Sequence, residues 1–272
     1  MKTITINTVQ GIGDIFWCYQ KLAPHVERVN INVLCLDFDA LQQRARDFCR
    51  MLPKVGGVSY SQVSDAAYRR VVRMQARLAE LLALPDGSIV DYAVNAPLER
   101  GVKLREIDPG FAVQEFVDLG IEPPQHLSDY LCAFVSGTQN DLCWSPGEWV
   151  AAIRQLAAKI GTDQVLLIGA QWDAPVQSFI EGELRARLRV ANYTGLLSLA
   201  DSIRIIRGAK FFFGFQSGLN VIADNYDVRQ LMLYYESLKP MMFAWCKEQN
   251  ADARIYRAAT FRDSFAKTLA SM

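Results

Sequence analysis

The chain has 272 residues, a length that fits one large α/β domain or two domains of ordinary size, and we expect two. Lysine plus arginine and aspartate plus glutamate both number 29, so no overall field attracts a polyanion, which argues against nucleic acid as a general partner. Six cysteines without a CxxC pair predict reduced thiols without structural zinc, and no apolar run reaches the roughly 20 residues of a membrane span, so we expect a cytoplasmic protein.

The first half of the chain alternates between predicted strands and helices. A β-branched strand over 3–9 leads into the turn VQGIGD, and apolar residues at helical spacing predict a helix after it. The alternation continues with strands predicted over 30–36, 54–60 and 88–95 and helices predicted over 39–52 and 65–84. A mixed segment that ends in a Pro-Pro stop at 123–124 then predicts a passage between domains.

A second series of strands and helices begins near residue 129. Its first helix has clear limits, with Ser145 as N-cap, Pro146 in the first turn and Gly161 as C-cap. The nearly all-apolar strand after this helix is typical of a parallel strand covered on both faces. Strands are predicted over 129–137, 164–173, 189–195, 210–216 and 228–235, and helices over 145–161, 178–188, 196–209, 217–227, 240–250 and 261–272.

The alternation of strands and helices predicts the fold class. Such a series forms a parallel sheet with right-handed crossovers, so two series predict two facing doubly wound, Rossmann-like α/β domains. We expect an N-terminal domain over 1–126, a C-terminal domain over 127–240 and a helical tail over 241–272 that can pack back on the first domain. Ligands are then expected at the carboxyl ends of the strands, in the cleft between the domains.

The turn after the first strand contains the first candidate site residue. Gly11 and Gly13 allow a tight turn and leave backbone N–H groups pointing above the start of the helix. Asp14 has two interpretations. It is a first-turn carboxylate that favours the helix start, or it is a general base that deprotonates an acceptor hydroxyl.

Further candidates follow the strands of the second half. Ser217 and Gly218 stand where a helix begins, so their amides and the helix dipole could hold a diphosphate, and an ordinary serine cap is the alternative. The remaining candidates are small or polar residues at strand ends and an aromatic ring that could stack on a base or sugar: Thr138, Gln139, Gly169, Trp172, Gln216 and Glu236.

Together these segments resemble the heptosyltransferase-like glycosyltransferases, which are glycosyltransferase family 9-like proteins with the two-domain GT-B fold. That family opens with a strand, a GxGD turn and a helix, and here this part is VQGIGDIF. The matching segments of the second half are CWSPGEWVAAIRQLA, VLLIGAQWD, YTGLLSLADSIRIIRGA and FFFGFQSGLNVIA. Their order and spacing match over most of residues 129–236.

The resemblance implies an inverting transfer of a sugar from a nucleotide-diphosphate donor to an acceptor hydroxyl, without a metal or other cofactor. The first domain would hold the acceptor, with Asp14 as the base and Gly11 and Gly13 in its turn. The second domain would hold the nucleotide sugar, with Ser217 and Gly218 at the diphosphate. The acceptor is left open as a glycan, a small molecule or a modified nucleobase.

Three departures from the family pattern keep other functions open. Gln216 replaces the usual acidic residue, the usual histidine is absent near Asn220, and VSGTQND lacks the usual basic residue. The chain is also short for the fold, which predicts a trimmed acceptor half. A catalytically inactive nucleotide-sugar-binding module and a nucleotide-sugar epimerase of the same fold are the alternatives.

Overall fold

A computed structural model describes residues 2–36, 40–73, 78–91, 116–135, 144–235 and 255–272. The described residues up to Gly120 form one compact unit, and those from Ile121 onward form a second. The division lies a few residues before the predicted domain boundary at residue 126. No helix in these ranges is long and apolar enough to cross a membrane.

The first unit is built on a parallel sheet of four strands in the order β3-β2-β1-β4. The order reverses direction between β1 and β4, so the carboxyl end of β1 is at the position where doubly wound sheets bind ligands. The strands are β1 (Thr3–Val9), β2 (Arg28–Cys35), β3 (Val55–Gln62) and β4 (Ile89–Asp91), and the helices are α1 (Ile12–Leu22), α2 (Ala40–Cys49), α3 (Asp65–Arg73) and α4 (Leu78–Ala83).

Alternation along β1 gives the first sheet one apolar and one polar face. Ile4 and Ile6 are buried on the face that α1 covers, as the period-two pattern predicted. On the other face, Asn7 donates to Asp91 at 2.8 Å and accepts from Asn32 at 2.9 Å. Neighbouring strands are therefore joined by side-chain hydrogen bonds as well as by the backbone ladder.

The second unit contains a parallel sheet of six strands in the order β10-β9-β8-β5-β6-β7. Taken in chain order, this is the 3-2-1-4-5-6 arrangement of a doubly wound dinucleotide-binding sheet, with its reversal between β5 and β8. Its elements are β5 (Tyr130–Phe134), α5 (Pro146–Ile160), β6 (Gln164–Ile168), α6 (Ala174–Leu184), β7 (Arg189–Asn192), α7 (Leu199–Gly208), β8 (Phe211–Phe215), α8 (Gly218–Asn225), β9 (Gln230–Tyr234), β10 (Ile255–Ala259) and α9 (Arg262–Ser271).

Aromatic side chains fill the core of the second unit. All of β8 is buried, and Phe213 packs against Trp149 of α5 with ring centroids 5.4 Å apart. Helix α5 has the predicted limits, because Ser145 caps it, Pro146 opens it and Gly161 ends it with a left-handed φ of 70°. The capping residues therefore fix both ends of α5, the helix that packs on β8.

In the tail, the predicted helix over 261–272 is confirmed, the predicted helix over 240–250 lies outside the described ranges, and residues 255–259 form a strand that was not predicted. They add β10 to the sheet beside β9, with Ala258 and Ala259 as its buried residues. The helix that follows, α9, packs in the second unit through Phe265, whose ring lies 5.2 Å from that of Trp144. The described part of the tail thus belongs to the second unit, because its apolar side chains are buried there.

Candidate active site

Asp14 lies in the first turn of α1, directly after the carboxyl end of β1. Helix α1 begins after Gly11, which has the extended backbone of an N-cap residue but no side chain to cap the helix. A Cβ atom at Gly11 would collide with the Asp14 carboxylate, so glycine is needed for the carboxylate to fold back over the turn. Gly13 stands beside Asp14 in the same helical turn. The structure thus brings Gly11, Gly13 and Asp14 together.

The surroundings of Asp14 favour a carboxyl group that can take up a proton. Burial raises the pKa of Asp14 from 3.8 to about 6, opposed by a hydrogen bond from its own backbone. Burial, then the nearby charge of Asp14, raises the pKa of Tyr68 to about 12. Tyr68 packs against the cluster of Val9 and Leu34, so α3 covers the sheet close to the carboxylate. A carboxylate with a pKa near 6 is ionised at neutral pH and remains basic enough to act as a general base.

The second candidate group is the turn from β8 into α8, at the reversal point of the second sheet. Ser217 caps α8, because its Oγ accepts the Leu219 amide at 3.2 Å. The Ser217 amide donates to Asn220 Oδ1 at 2.9 Å, which completes a capping box. The fully buried Asn220 also donates to Gln230 Oε1 at 2.9 Å, and Gln230 Nε2 donates to the Asn220 carbonyl at 3.1 Å.

These hydrogen bonds use some of the polar groups of the turn and leave others for a ligand. The amide and hydroxyl of Ser217 are used within the capping box, so Ser217 shapes the turn more than it offers donors. Gly218 is the first residue of α8, where a helix amide has no acceptor within the helix. Gln216 Oε1 is a buried acceptor that lacks a hydrogen-bond partner within the described ranges. The turn therefore presents one amide N–H and a helix dipole to an anion, next to an uncharged side chain.

The third candidate group follows β6. Gly195 donates its amide to the Gly169 carbonyl at 2.9 Å, and the ring of Trp172 is 44% exposed, so it is accessible to a ligand. Gln177 of α6, which is fully buried, donates its Nε2 to the carbonyls of Ile168 at 2.8 Å and Val135 at 3.2 Å. One amide thereby ties the carboxyl ends of β5 and β6 together.

Gly169 leaves no room for a side chain beside this amide. A Cβ atom there would be 2.5 Å from Gln177 Nε2 and 3.1 Å from Asp173 Oδ2. Gly169→Ala is therefore expected to lower the free energy of unfolding in urea by about 1–3 kcal/mol. Gly182→Ala is the matched control, because a Cβ atom at this helical glycine meets nothing within 4 Å, and it should raise stability by about 0.5–1 kcal/mol. Equal stabilities of the two variants would contradict the proposed crowding.

The residues that the sequence analysis predicted for the site are only partly those that the structure shows in these turns. Three predicted site residues, Thr138, Gln139 and Glu236, lie outside the described ranges. Sequence reasoning missed Gln177 and Gln230, and it noted Asn220 only as a departure from the family. The spacing of Asn220, three residues after Ser217, is that of a capping box and could have identified its role. No comparable signal marks the two glutamines.

Comparisons with known proteins show the fold. No family model and no curated protein matches the sequence. Among solved structures, E. coli heptosyltransferase WaaC with ADP superposes with a TM-score of 0.59 at 14% identity, over 94% of this chain and 93% of that chain. A glycosyl transferase family 9 protein from Veillonella parvula gives 0.55 at 10% identity over 95% and 86%. UDP-GlcNAc 2-epimerase from Methanocaldococcus jannaschii gives 0.50 at 9% identity over 99% and 92%.

These similarities confirm the predicted fold class. The chain has the two-unit α/β architecture of the GT-B glycosyltransferases, with each unit built on a parallel sheet. The same architecture is shared with an epimerase, so the fold by itself is compatible with more than one reaction on nucleotide sugars.

Proposed function

We propose that the protein is a cytoplasmic glycosyltransferase that moves a sugar from a nucleotide-diphosphate donor to an acceptor hydroxyl, with inversion and without a metal ion. The observation that carries this proposal is the position of Asp14 at the reversal point of the first sheet, with a carboxyl pKa raised to about 6. The fold shared with heptosyltransferases supports the class of reaction.

In this mechanism Asp14 accepts the proton of the acceptor hydroxyl as the hydroxyl oxygen attacks the anomeric carbon. The new carbon–oxygen bond forms on the face opposite the diphosphate, whose bond to the same carbon breaks, so the configuration inverts. The bonding electrons leave with the diphosphate. Gly11 contributes by leaving space for the carboxylate above the turn.

The second unit would hold the nucleotide. The Gly218 amide and the α8 dipole would stabilise the negative charge that develops on the leaving diphosphate. The uncharged Gln216, in place of the family's acidic residue, adds no repulsion beside it. Trp172 would stack on the base or sugar, next to Gly169. Thr138, Gln139 and Glu236 remain predicted donor contacts, and the ADP of the WaaC structure supports a nucleoside diphosphate as the leaving group.

The test is a thermal-shift titration with ADP, UDP and GDP, each paired with its monophosphate. A diphosphate that binds only the folded protein raises its melting temperature in proportion to occupancy, and it should do so more than the monophosphate. The corresponding nucleotide sugars are then assayed for release of the diphosphate, alone and with glycan, small-molecule and modified-nucleobase acceptors. A protein that no nucleotide stabilises would contradict the proposal.

The assay separates the proposed transferase from the two alternatives. An epimerase, which the fold also permits, would convert UDP-GlcNAc to its C2 epimer without an acceptor, and NMR of the sugar would detect the product. A binding module without catalysis would bind a nucleotide sugar in calorimetry and release no diphosphate with any acceptor. Acceptor-dependent release of the diphosphate supports the transferase alone.

A further inference from the structure

Strand β3 forms one edge of the first sheet and lacks the features that usually protect an edge strand. It is eight residues long, and its sequence VGGVSYSQ contains no charged residue and no proline. Four of its residues are exposed: Gly56, Gly57, Ser59 and Gln62. Natural proteins shorten or charge their edge strands, because the unpaired backbone groups of an edge can pair with a strand of another chain. Strand β3 is therefore open to such pairing.

The other edge strands of the two described sheets are protected. Strand β4 has three residues and ends on Asp91, which pairs with Arg70 at 3.1 Å. Strand β7 has four residues and begins with Arg189, which pairs with Asp163 at 2.7 Å. Strand β10 has Arg257 as its middle residue. The chain thus shortens or charges three of these edges and leaves the longest one neutral, as expected if β3 pairs with another strand.

The backbone of β3 has free hydrogen-bonding groups on its outer side. The Val63 amide donates to the Cys35 carbonyl at 3.1 Å, so the odd-numbered residues of 57–63 direct their backbone groups towards β2. The residues between them direct their amides and carbonyls away from the sheet, and these residues are Val58, Tyr60 and Gln62. A bulge at Gly56 lies before this part, and the register with β2 is regular after the bulge.

We propose that β3 is an interface between two copies of this chain, which pair antiparallel about a two-fold axis at Tyr60. Val58 of each copy then lies opposite Gln62 of the other, and the outward residues exchange paired N–H···O bonds. The two-fold axis places the strand against itself, so like charges would face each other if β3 carried any. The neutral sequence of β3 meets this requirement of self-pairing.

The size of this interface sets its expected strength. Pairing through one edge buries less than the roughly 1,200 Å² of a standard interface, so we expect a weak dimer with a Kd of about 10–100 µM. Tyr60 of the two copies forms an aromatic cross-strand pair at the axis, which adds to the backbone bonds. The interface is independent of the proposed glycosyl transfer, since it uses none of the residues assigned to that reaction.

Sedimentation velocity of the full chain at about 1–300 µM tests the dimer, which should form reversibly in this range. Val58→Pro removes an outward N–H and no hydrogen bond to β2, so we expect a folded protein that dimerises at least about tenfold more weakly. Val58→Ala is the matched control, because it shortens the same side chain and keeps the N–H, and its Kd should stay within about twofold of the unmodified value.

Two double variants test the register. Val58→Lys with Gln62→Lys places like charges opposite each other across the interface, whereas Val58→Lys with Gln62→Glu places opposite charges there. The two side chains are about 13 Å apart within one strand, so they meet only between copies. At 0.15 M salt, which screens the difference in net charge, we expect the Lys–Glu variant to dimerise about tenfold more tightly.

Three results would each overturn the proposal. They are an unmodified chain that stays monomeric at the highest concentration, a dimer that Val58→Pro leaves unchanged, and equal association of the two double variants. Far-ultraviolet circular dichroism of every variant establishes that it is folded. Because the readout is association alone, the result does not depend on whether the protein transfers sugars.

Discussion

Asp14→Asn is expected to reduce sugar transfer by about 10²–10⁴-fold while making the folded protein more stable at neutral pH. Asparagine keeps the shape of the side chain but cannot accept the hydroxyl proton. The gain in stability follows from the raised pKa of Asp14, since the fold disfavours the charged carboxylate. Loss of activity with gain of stability is a combination that a purely structural carboxylate would not produce.

The stability difference between Asp14→Asn and the unmodified protein should depend on pH. A carboxyl whose pKa rises to about 6 on folding contributes stability that is fully present below about pH 4 and is lost as the pH rises through about 6. Asp14→Asn should therefore be about 1–2 kcal/mol more stable at pH 8, a value reduced because the side chain is only partly buried, and equal in stability below about pH 4. Urea unfolding of the two proteins at pH 8 and below about pH 4 measures both stability differences.

Activity should follow the same titration in the unmodified protein. We expect the kcat/KM of transfer to rise about tenfold per pH unit below pH 6 and to level off above it, as the base becomes ionised. Asp65→Asn is the control, because Asp65 is exposed and pairs with Arg69 on the surface. The activity of this variant should equal that of the unmodified protein. Full activity of Asp14→Asn would remove Asp14 from the mechanism and leave it as a first-turn carboxylate.

The second large effect is expected from the buried amide pair below the phosphate turn. Asn220→Leu leaves the amide of Ser217 without its acceptor and Gln230 Oε1 without its donor, and we expect it to lower the free energy of unfolding by about 2–4 kcal/mol. Gln230→Leu should be similarly destabilising. The double variant should lose about 1–2 kcal/mol less than the sum, since removing both polar partners leaves fewer unsatisfied groups.

Urea unfolding of the four proteins forms a double-mutant cycle that measures this coupling. Binding of the stabilising nucleotide supplies the functional readout. Asn220→Leu and Gln230→Leu should both weaken this binding, because each removes a hydrogen bond that shapes the turn before the Gly218 amide. Additive losses of stability in the double variant would show that the two amides act separately.

Local patterns in the sequence predicted most of the fold. The all-apolar segment that became β8 and the capping residues of α5 needed only neighbours in the chain to be interpreted. Strand β10 was missed, because only its last two residues are buried and its pairing with β9 is a contact between separate segments. A short, partly exposed edge strand has little periodicity to detect.

The candidate site was less predictable for a related reason. Asp14 and Ser217 were identified from glycine turns, which are local signals. Gln177, in contrast, acts on two strand ends, one of them 42 residues away in the sequence. The raised pKa of Asp14 arises from burial, which depends on the assembled unit and on no single segment.

The position of α9 has a consequence for synthesis on the ribosome. Phe265 packs on Trp144, and the ion pair of Arg262 with Glu148 joins groups 114 residues apart, so this part of the core of the second unit closes only after residues far downstream in the chain have been translated. Domains generally fold as units during translation. The nascent second unit must therefore keep an incomplete core until residue 265 has left the exit tunnel, and a premature stop before that point would expose Trp144 and Phe213 to proteases and chaperones.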